Sequence, residues 1–545
     1  MAGFFLCEGA EMENQNVFTG RSLCVIEDLS IAEREYLFTE VRKLKQAMEE
    51  NNLEVMDQYR IDDKDFGIYE VFLEDSTRTK ESFKNAANFH HAKVSELNSD
   101  SSSFNKGESF ADTFNTLSGY SNTIFIIRSK IEGVCRWLED ECSLYAERNK
   151  LWRKPTFINA GDGKHEHPTQ ELLDEFTFLE DNNWSTDSIH LALVGDLYHG
   201  RTVHSKADGL KIFKSVQVDL IAPPELAMPE TYIGRMKENG FQLRMFSSIE
   251  EYLQQADIAD KWYFTRPQLE RMGDRILQRQ DELRSMITFK KEYMTKIKEH
   301  TKFYHPLPRH KVTPTIPTFL DDTPLNGWER QSINGMYVRI VLLSLLGGKI
   351  GNGYVPCEER KETERAEYIF EVDVAAVQPK EKVVSEGVHP IHDGLVIDHI
   401  CRGDSPSEIR DHMRLISSVM NLDESKGGEW VSRGHSDRDS FKGIIFRPNA
   451  KELSRKELKR LAAVSPGCTL NIIKDGKVEK KYRMEMPPRI YNFDDLSCTN
   501  EACISHPSQA EGVPALFTRT KDNKFACAYC GKTHSFKEIW KSRKK

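Results

Sequence analysis

The stretch Glu74-Asp75-Ser76-Thr77-Arg78-Thr79-Lys80 places three hydroxyl groups and a guanidinium within four consecutive residues. Residues 67–73 before it are rich in β-branched and aromatic side chains and predict a strand, and residues 81–90 after it have helical spacing. At such a strand-to-helix turn, unpaired backbone N–H groups and the helix dipole favour a bound phosphate. The arginine adds a planar fork that fits two phosphate oxygens. The simpler alternative is an ordinary helix cap, because Ser and Thr are common there.

Two more polar positions are expected at the same edge of a parallel sheet. Arg128 ends the apolar strand of residues 123–128, and ligands of open α/β sheets bind beyond the carboxyl ends of the strands. His167 precedes Pro168, which suits the first position of a helix, so His167 is expected at a helix cap facing that edge. For Arg128 the alternative is a solvated residue that closes a strand.

Residues 195–202 imitate a nucleotide-binding P-loop with the pattern GxxxxGRT. We reject that interpretation because Arg201 replaces the lysine that should reach the β- and γ-phosphates, and no strand with a magnesium-binding aspartate follows. Residues 304–309 contain two prolines and predict a rigid turn whose backbone carbonyls are available to a ligand. An arginine and a rigid turn are thus added to the candidate site.

Four cysteines near the end of the chain have the spacing of a metal site. Cys498 and Cys503 form CxxxxC, and Cys527 and Cys530 form CxxC. In a cytosolic chain this spacing is typical of metal ligands and not of disulfides. Zinc ribbons of similar spacing often bind nucleic acid, so the spacing alone fits that role and a structural metal about equally, although this segment lacks a clustered basic face.

Composition narrows the class of protein. The length of 545 residues suggests three or four domains, and a net charge of −9 with both signs interspersed argues against a nucleic-acid or anionic-membrane surface. No apolar run approaches the roughly 18 residues needed to cross a membrane, and the first residues do not resemble a secretory signal. We therefore expect a cytoplasmic protein with no nucleic-acid or membrane partner.

The alternation of predicted elements indicates the fold class. Strands alternate with helices from residue 18 to about residue 348, which predicts an α/β protein whose parallel sheets are covered on both faces. The charge-rich residues 349–388 suggest a linker. Beyond them, a shorter mixture of strands and helices predicts an α+β unit, followed by the metal module.

Taken in order, these motifs resemble aspartate carbamoyltransferase. The second half of the chain, including residues 396–400, Asn471 and the four cysteines, is similar to the separate regulatory chain of that enzyme. The resemblance implies a fused chain with two parallel-sheet α/β subdomains, an α+β allosteric-type domain and a small zinc-binding β domain. The motifs of the first half are Ser76–Thr79, Lys106–Glu108, Arg128, His167–Gln170, Gly195–His204, Thr265–Arg271 and His305–Arg309.

The resemblance also implies an order of domains. Two stretches, residues 55–66 and 135–150, are longer than is common in the family and are expected at the surface. The implied boundaries are a leader at 1–17, a carbamoyl phosphate subdomain at 18–166, an aspartate subdomain at 167–329, a closing helix at 330–348, a linker at 349–388, a nucleotide-binding-like regulatory domain at 389–491 and a zinc-binding domain at 492–545.

The implied reaction is transfer of a carbamoyl group from carbamoyl phosphate to the amine of L-aspartate. Oriented cationic donors lower its barrier because the carbonyl oxygen gains negative charge as the amine attacks. The resemblance assigns the catalytic roles to Arg78, Thr79, Arg128 and His167. The implied carbamoyl phosphate ligands are Ser76, Thr77, Arg78, Thr79, Ser102, Lys106, Arg128, His167, Gln170 and Leu307, and the implied aspartate ligands are Lys106, Arg201, Arg266, Gln268, Leu307 and Pro308.

The family further implies an assembly and a closing motion. Ser102 and Lys106 match a loop that enters the neighbouring subunit's site, so a homo-oligomer built on trimers is expected. Glu74 is similar to a residue that pairs with Arg201 and Arg271 when the two domains close.

A nucleotide effector, CTP or ATP, and a structural zinc are implied for the second half. Two positions depart from the regulatory pattern, since Arg438 stands where lysine is usual and Gly476 where an aromatic residue is usual. The zinc ligands are Cys498, Cys503, Cys527 and Cys530. The positions that match effector contacts are Ile391, Asp398, His399, Lys442, Asn471, Ile473 and Lys481.

Two other classes of protein share parts of this pattern. Ornithine carbamoyltransferase shares the phosphate turn, but that family has cysteine where Pro306 stands and lacks the paired arginines that Arg266 completes here. An inactive scaffold with this fold is disfavoured because every ligand-contacting residue of the family is retained.

Overall fold

A computed structural model describes residues 16–98, 107–120, 123–268, 279–356, 367–374, 391–403, 405–422, 426–433 and 441–540. The chain divides into two compact units. Unit 1 contains the chain up to residue 358 together with residues 500–513 and 529–532, and unit 2 contains the other residues from 359 onward. Among the described residues, every helix is too short or too polar to cross a membrane.

The first sheet of unit 1 has four parallel strands in the order β2-β1-β3-β4. Residues 124–127 are buried throughout, because helices cover both faces of a parallel sheet. The strands are β1 (Gly67–Phe72), β2 (Lys93–Asn98), β3 (Ile124–Ser129) and β4 (Thr156–Asp162). The helices of this part are α1 (Ile31–Glu49), α2 (Leu53–Asp57), α3 (Thr77–Phe89), α4 (Phe110–Ser118) and α5 (Val134–Asn149).

The second sheet of unit 1 has five parallel strands in the order β7-β6-β5-β8-β9. These are β5 (Ser188–Val194), β6 (Ser215–Ile221), β7 (Gln242–Phe246), β8 (Lys261–Phe264) and β9 (Lys302–Tyr304). The helices that follow along the chain are α6 (Pro168–Asp181), α7 (Arg201–His204), α8 (Lys206–Gly209), α9 (Glu230–Glu238), α10 (Ile249–Tyr252), α11 (Gln280–Ile287) and α12 (Trp328–Leu346). Helix α6 packs on β4 of the first sheet. The apolar helix α12 packs against α1, α3 and α6 and also contacts β9, so it joins elements that belong to both sheets.

The two stretches expected at the surface are partly buried, so that prediction was wrong for one face of each. In residues 55–66, Tyr59 and Ile61 are buried in the core of unit 1. In residues 135–150, α5 buries Trp137 and Leu138 and packs against β4. Amphipathic spacing places these side chains inward even where the stretch is longer than is common in the family.

Unit 2 contains a six-stranded antiparallel sheet in the order β10-β15-β14-β11-β13-β12. Two helices, α13 (Pro406–Val419) and α14 (Arg455–Val464), accompany it, and α13 packs on β11 and β13. The sequence did not predict strands at β12 or β15. For β15 the reason is that its residues are mostly charged. The strands are β10 (Ile369–Glu371), β11 (Gly394–Gly403), β12 (Gly428–Arg433), β13 (Phe441–Pro448), β14 (Thr469–Lys474) and β15 (Lys477–Met484).

A smaller four-stranded antiparallel sheet completes unit 2. Its strands, with one short helix, are β16 (Arg489–Tyr491), β17 (Leu516–Arg519), β18 (Phe525–Cys527), β19 (Thr533–His534) and α15 (Phe536–Ile539). The expected fold class is therefore confirmed: parallel α/β sheets first, then an α+β region and a small β region.

Candidate active site

A cleft of about 790 Å³ lies at the carboxyl ends of the two parallel sheets of unit 1. The strand order of the first sheet reverses between β1 and β3, and that of the second between β5 and β8. Such reversals are the places where open α/β sheets bind ligands. Ser76 and Arg128 follow or end the strands of the first reversal, and Arg201 and Arg266 follow those of the second. One cleft therefore gathers the residues that both reversals position.

The predicted phosphate-binding turn begins α3. Ser76 is the N-cap residue of that helix, but its side chain makes no capping hydrogen bond, so the simple capping interpretation fails. The first turn contains Thr77, Arg78 and Thr79 and no acidic residue. Partial burial lowers the pKa of Arg78, although the residue remains exposed to the cleft. A bound anion would pair with this guanidinium, so the turn is suited to a phosphate.

His167 caps α6 and faces the same turn, with its Nε2 atom 3.5 Å from Thr79 Oγ1. Burial, helped by the positive charges of Arg128 and Arg201, holds the pKa of His167 well below its ordinary value. The imidazole is therefore neutral at working pH. It can donate one hydrogen bond to a carbonyl oxygen without bringing a charge.

Glu74 contacts arginines from both walls of the cleft. Arg201 Nη2 donates to Glu74 Oε2 at 2.9 Å, and Arg128 Nε lies 3.5 Å from the same oxygen. Each guanidinium also donates to a backbone carbonyl, at 2.9 Å from Arg128 and 3.0 Å from Arg201. A Cβ on Gly161 would lie 2.9 Å from Arg128 Nη1, so glycine lets the backbone approach this closely. The resemblance implies this Glu74–Arg201 pair for the closed state.

The second sheet supplies Arg266 and Gln268 in the segment after β8. The backbone N–H of Gln268 donates to Asp196 Oδ2 at 2.9 Å, and its Nε2 donates to the His199 carbonyl at 3.3 Å. Asp196 is fully buried, so it anchors the start of this segment. Gln268 is thereby held beside Arg266 on the wall of the cleft.

The two-proline turn is held from both sides by hydrogen bonds. The N–H of His305 donates to Gln331 Oε1 at 2.9 Å, and the N–H of Leu307 donates to His305 Nδ1 at 2.7 Å. Leu307 has φ of 54°, a left-handed conformation that persists only where the surroundings impose it. Leu307 and Pro308 both line the cleft, as the sequence predicted for a ligand-facing turn.

The four predicted metal ligands lie together. Their sulfur atoms are all within 4.8 Å of one another, and all four cysteines are buried. A tetrahedral ion with about 2.3 Å to each sulfur would hold the sulfurs about 3.8 Å apart. The cluster therefore fits a metal bound by four thiolates, with no coordination position left for a substrate.

The candidate effector residues lie along the six-stranded sheet of unit 2. Asn471 stands opposite Lys481, and Lys442 Nζ lies 3.1 Å from Asp398 Oδ1. His399 Nδ1 is 3.2 Å from the Thr469 hydroxyl. Arg438 lies outside the described residues. The half-buried side chains that share this sheet or its border are Ile391, Asp398, His399, Lys442, Asn471, Ile473 and Lys481.

Comparison with known proteins decides the family. A protein named PyrBI from Treponema denticola is 68% identical over 534 residues, which cover 97% of this chain and 100% of that protein. The aspartate carbamoyltransferase catalytic subunit of Methanothrix thermoacetophila is 36% identical over 278 residues, covering 51% of this chain and 84% of the subunit. The chain belongs to the aspartate carbamoyltransferase family.

Family models and a solved structure agree with this assignment. The crystal structure of aspartate transcarbamoylase from Trypanosoma cruzi in complex with carbamoyl phosphate is 28% identical, with a TM-score of 0.52, covering 61% of this chain and 97% of that chain. The matching models are the aspartate/ornithine carbamoyltransferase carbamoyl-P binding domain at 21–180 and Asp/Orn binding domain at 187–346, and the aspartate carbamoyltransferase regulatory chain allosteric domain at 386–485 and metal binding domain at 488–540.

This aspartate carbamoyltransferase therefore carries catalytic and regulatory regions on one polypeptide, as the motifs predicted. Ser102, Lys106 and Arg271 lie outside the described residues. The other residues predicted to bind carbamoyl phosphate and those predicted to bind aspartate all line this one cleft.

Sequence reasoning missed residues of the aspartate carbamoyltransferase cleft that come from α12 and α3. Arg339 lines the cleft and donates through Nη1 to Ser82 Oγ at 2.9 Å. Burial lowers its pKa to about 10. The available signal was a single arginine inside the apolar run of residues 338–343, because arginine is rarely buried without a partner or ligand.

Proposed function

We propose that this aspartate carbamoyltransferase uses the cleft of unit 1 to transfer the carbamoyl group of carbamoyl phosphate to the amine of L-aspartate. The products would be N-carbamoyl-L-aspartate and phosphate, a step of de novo pyrimidine biosynthesis. The convergence of the Ser76–Thr79 turn with arginines from both sheets in one cleft carries the proposal. The roles of the individual residues follow from their chemistry and their positions.

The phosphate group of the first substrate would occupy the N-terminus of α3. Ser76, Thr77 and Thr79 offer hydroxyl donors, and the first-turn N–H groups add the positive end of the helix dipole. Arg78 would bind two phosphate oxygens through its fork. These groups neutralise the leaving phosphate, so this part of the reaction needs no metal.

The carbonyl oxygen would receive hydrogen bonds from Thr79, Arg128 and the neutral His167. As the amine nitrogen bonds to the carbonyl carbon, this oxygen becomes negative, and donors already in place stabilise it without rearranging. The bond from the carbonyl carbon to the phosphate oxygen then breaks. Phosphate, released beside the attacking amine, is a base that can accept its proton.

Aspartate would bind on the opposite wall of the cleft. Arg201 and Arg266 each offer a fork for one carboxylate, and Gln268 adds a donor. The carbonyl of Leu307, held in its turn by the hydrogen bond to His305, would accept from the amine. Two carboxylates and one amine thus find three matched groups, a set that ornithine could not satisfy.

We assign zinc to the four buried cysteines, because a closed set of thiolates is typical of structural zinc. Its role would be to fold the C-terminal module and not to take part in transfer. The thiols of Cys24, Cys135, Cys142, Cys401 and Cys468 form no disulfide, which suits a reducing cytoplasm.

The half-buried face of the six-stranded sheet in unit 2 is our candidate for the nucleotide effector, CTP or ATP. The support is its match to the regulatory-chain allosteric domain and the presence of Lys442, Asn471 and Lys481 on one sheet. The cations could bind phosphates, and the amide could bind a base.

The purified full-length chain tests the proposed reaction directly. Carbamoyl phosphate is supplied with either L-aspartate or L-ornithine, and the carbamoylated product and phosphate are both measured. We expect carbamoyl-aspartate and phosphate in equal amounts and at least 100-fold less carbamoyl-ornithine, on the order of what an unmatched charged site costs. Preferential transfer to ornithine, or none to aspartate, would show that the assignment is wrong.

The proposed trimer is tested by mixing two inactive variants. If Lys106 acts in a neighbouring subunit's site, Lys106→Ala chains mixed with Arg78→Ala chains would form some sites with both intact residues. Activity should then return after mixing and reassociation. Mixed assemblies that form but stay inactive would mean that each site is built from one chain.

A further inference from the structure

The carboxylate of Asp174 lies directly behind the wall of the cleft. It is fully buried on α6, and Gln170 Nε2 donates to its Oδ1 at 2.9 Å. A carboxylate can only accept, so the amide nitrogen of Gln170 must face Asp174. The amide oxygen of Gln170, which lines the cleft, is left for the substrate.

The same carboxylate orients a second glutamine. Gln331 Nε2, from α12, donates to Asp174 Oδ1 at 2.6 Å. The oxygen of that amide must then accept, and it does so from the N–H of His305 at 2.9 Å. Asp174 therefore sets the orientation of two amides, one that faces the cleft and one that holds the two-proline turn.

A buried ammonium contacts the other oxygen of this carboxylate. Lys206 Nζ lies 2.9 Å from Asp174 Oδ2 and 2.7 Å from Glu171 Oε2, and all three side chains are buried. Burial opposes the charged form of Lys206, but Asp174 and Glu171 overcome this and raise its pKa. The ring of Tyr263, 4.3 Å away, further stabilises the cation. Asp174 thus accepts from two glutamine amides on Oδ1 and contacts a buried ammonium on Oδ2.

We propose that Asp174 is a positioning residue that makes the cleft select a carbamoyl group over other acyl groups. The inference rests on the proposed function and on the contact with the carbamoyl nitrogen that the family resemblance implies for Gln170. Of the two ends of the Gln170 amide, only the oxygen can accept from the carbamoyl NH₂ group, and the hydrogen bond to Asp174 keeps that oxygen facing the cleft. Acetyl phosphate has a methyl group in place of the amine and gains nothing from this oxygen.

Asp174→Asn should reverse the orientation of the Gln170 and Gln331 amides and not merely weaken their hydrogen bonds. Lys206 attracts the oxygen of the new amide, which turns its NH₂ group toward Gln170 and Gln331. Donors then face donors, so both glutamines are favoured in the flipped orientation. Gln170 would now present its own NH₂ group to the carbamoyl NH₂ group.

The test compares kcat/KM for carbamoyl phosphate with kcat/KM for acetyl phosphate, at saturating aspartate, in the full-length protein. We expect Asp174→Asn to lower the ratio of the carbamoyl phosphate value to the acetyl phosphate value by roughly 10- to 100-fold, since the carbamoyl NH₂ group loses its acceptor. A residue that only supports the fold would lower both values together and leave the ratio unchanged. The ratio therefore reports on the orientation of Gln170.

Glu171→Gln is the matched control, because it changes the second carboxylate that Lys206 contacts and leaves the carboxylate that the two glutamines share in place. Its ratio should stay within about twofold of the parent protein. If Asp174→Asn does not fold, Asp174→Ser removes the acceptor without adding an amide and is measured in the same way. In either variant, an unchanged ratio overturns the proposal.

Gln170→Ala separates the two hypotheses. If Gln170→Ala lowers the ratio and Asp174→Asn does not, Asp174 has no positioning role while the proposed function stands. If Gln170→Ala leaves the ratio unchanged, the role assigned to Gln170 itself fails. In the Gln170→Ala background, Asp174→Asn should lower the ratio no further.

Discussion

The cleft of unit 1 is our proposed active site, and the sheet face of unit 2 that carries Asp398, His399, Lys442, Asn471 and Lys481 is our proposed effector face. The two differ in how their polar groups are held. In the cleft, Arg201 is bound to Glu74 and to a backbone carbonyl, and its side chain is 13% exposed. On the effector face, His399 and Lys442 pair with Asp398, and the His399 side chain is 35% exposed. In the proposed reaction, Arg128 and Arg201 are therefore held in position before a substrate binds, which is what electrostatic stabilisation of a transition state requires.

A second difference lies in the residues that support the polar groups of each site. Behind the cleft, Asp174 and Lys206 are fully buried and form an ion pair. Asp174 also accepts from Gln170, which lines the cleft. The effector residues share one sheet, and Asn471 faces Lys481 across neighbouring strands. We conclude that the cleft is built to hold one geometry, whereas the sheet face offers groups that a ligand must still arrange.

The largest effect is expected from Arg128→Ala. Its guanidinium would stabilise the negative carbonyl oxygen, so its loss should lower kcat about 1,000-fold. The exposed Arg148 on α5 offers a control, and Arg148→Ala should leave kcat within about twofold. Steady-state assays at saturating substrates decide the point. A loss of kcat below tenfold would mean that Arg128 does not stabilise the transition state, and the contrast with unit 2 would be weaker.

Arg266→Ala should act on one substrate only. A carboxylate without its fork loses on the order of 3 kcal/mol, which is about 100-fold in KM for aspartate. The KM for carbamoyl phosphate should change little, because its phosphate binds at α3. Arg284→Ala on α11 is the control from the same part of the chain. Equal weakening of both substrates would contradict the assignment of the two walls.

These residues show what could be predicted from the chain. The phosphate turn, Arg128 and His167 were predicted because each sits at the end of a recognisable strand or the start of a helix. The four cysteines followed from spacing alone. Local pattern is sufficient wherever neighbours in sequence are also neighbours in the site.

Other features depend on packing between distant segments and could not be predicted in that way. Gln331 meets Asp174 because α12 returns against α6, and the two residues are 157 positions apart. Strand β15 was missed because its charged alternation suits an open sheet face but lacks apolar content. The inward faces of residues 55–66 and 135–150 were missed for the opposite reason, since unusual length was taken as a sign of exposure.

The pH behaviour of histidines should separate the two units. The pKa of His167 lies well below its ordinary value, so the neutral ring persists as pH falls below about 6.5. The hydrogen bond to Asp393 raises the pKa of His392 in unit 2, so His392 should charge above that pH. NMR titration of selectively labelled histidines, assigned with His167→Asn and His392→Asn, measures both. A His167 signal that titrates near pH 6.5 would contradict the buried, arginine-surrounded site.

Cys527→Ser should change metal content far more than turnover. Loss of one thiolate from a closed set should release the zinc and unfold the small module, because its core is too small to fold alone. Transfer in well-folded assemblies should remain within about threefold, as the thiolates leave no position for substrate. Cys401→Ser, outside the cluster, is the control. Metal analysis, ultracentrifugation and activity are measured together, and turnover lost in folded assemblies would bring the metal into the catalytic mechanism.

The smallest effect is expected from Lys442→Ala, which tests the effector face itself. Lys442 already pairs with Asp398, so a nucleotide phosphate must displace that carboxylate, and the gain from the new contact is only the difference between two ion pairs. We therefore expect nucleotide binding, measured by calorimetry with CTP and ATP, to weaken by less than about tenfold, and turnover without nucleotide to stay unchanged. The exposed Lys477 provides the control Lys477→Ala. If Lys442→Ala abolishes binding outright, the effector face is as firmly prearranged as the cleft, and the contrast between the two units does not hold.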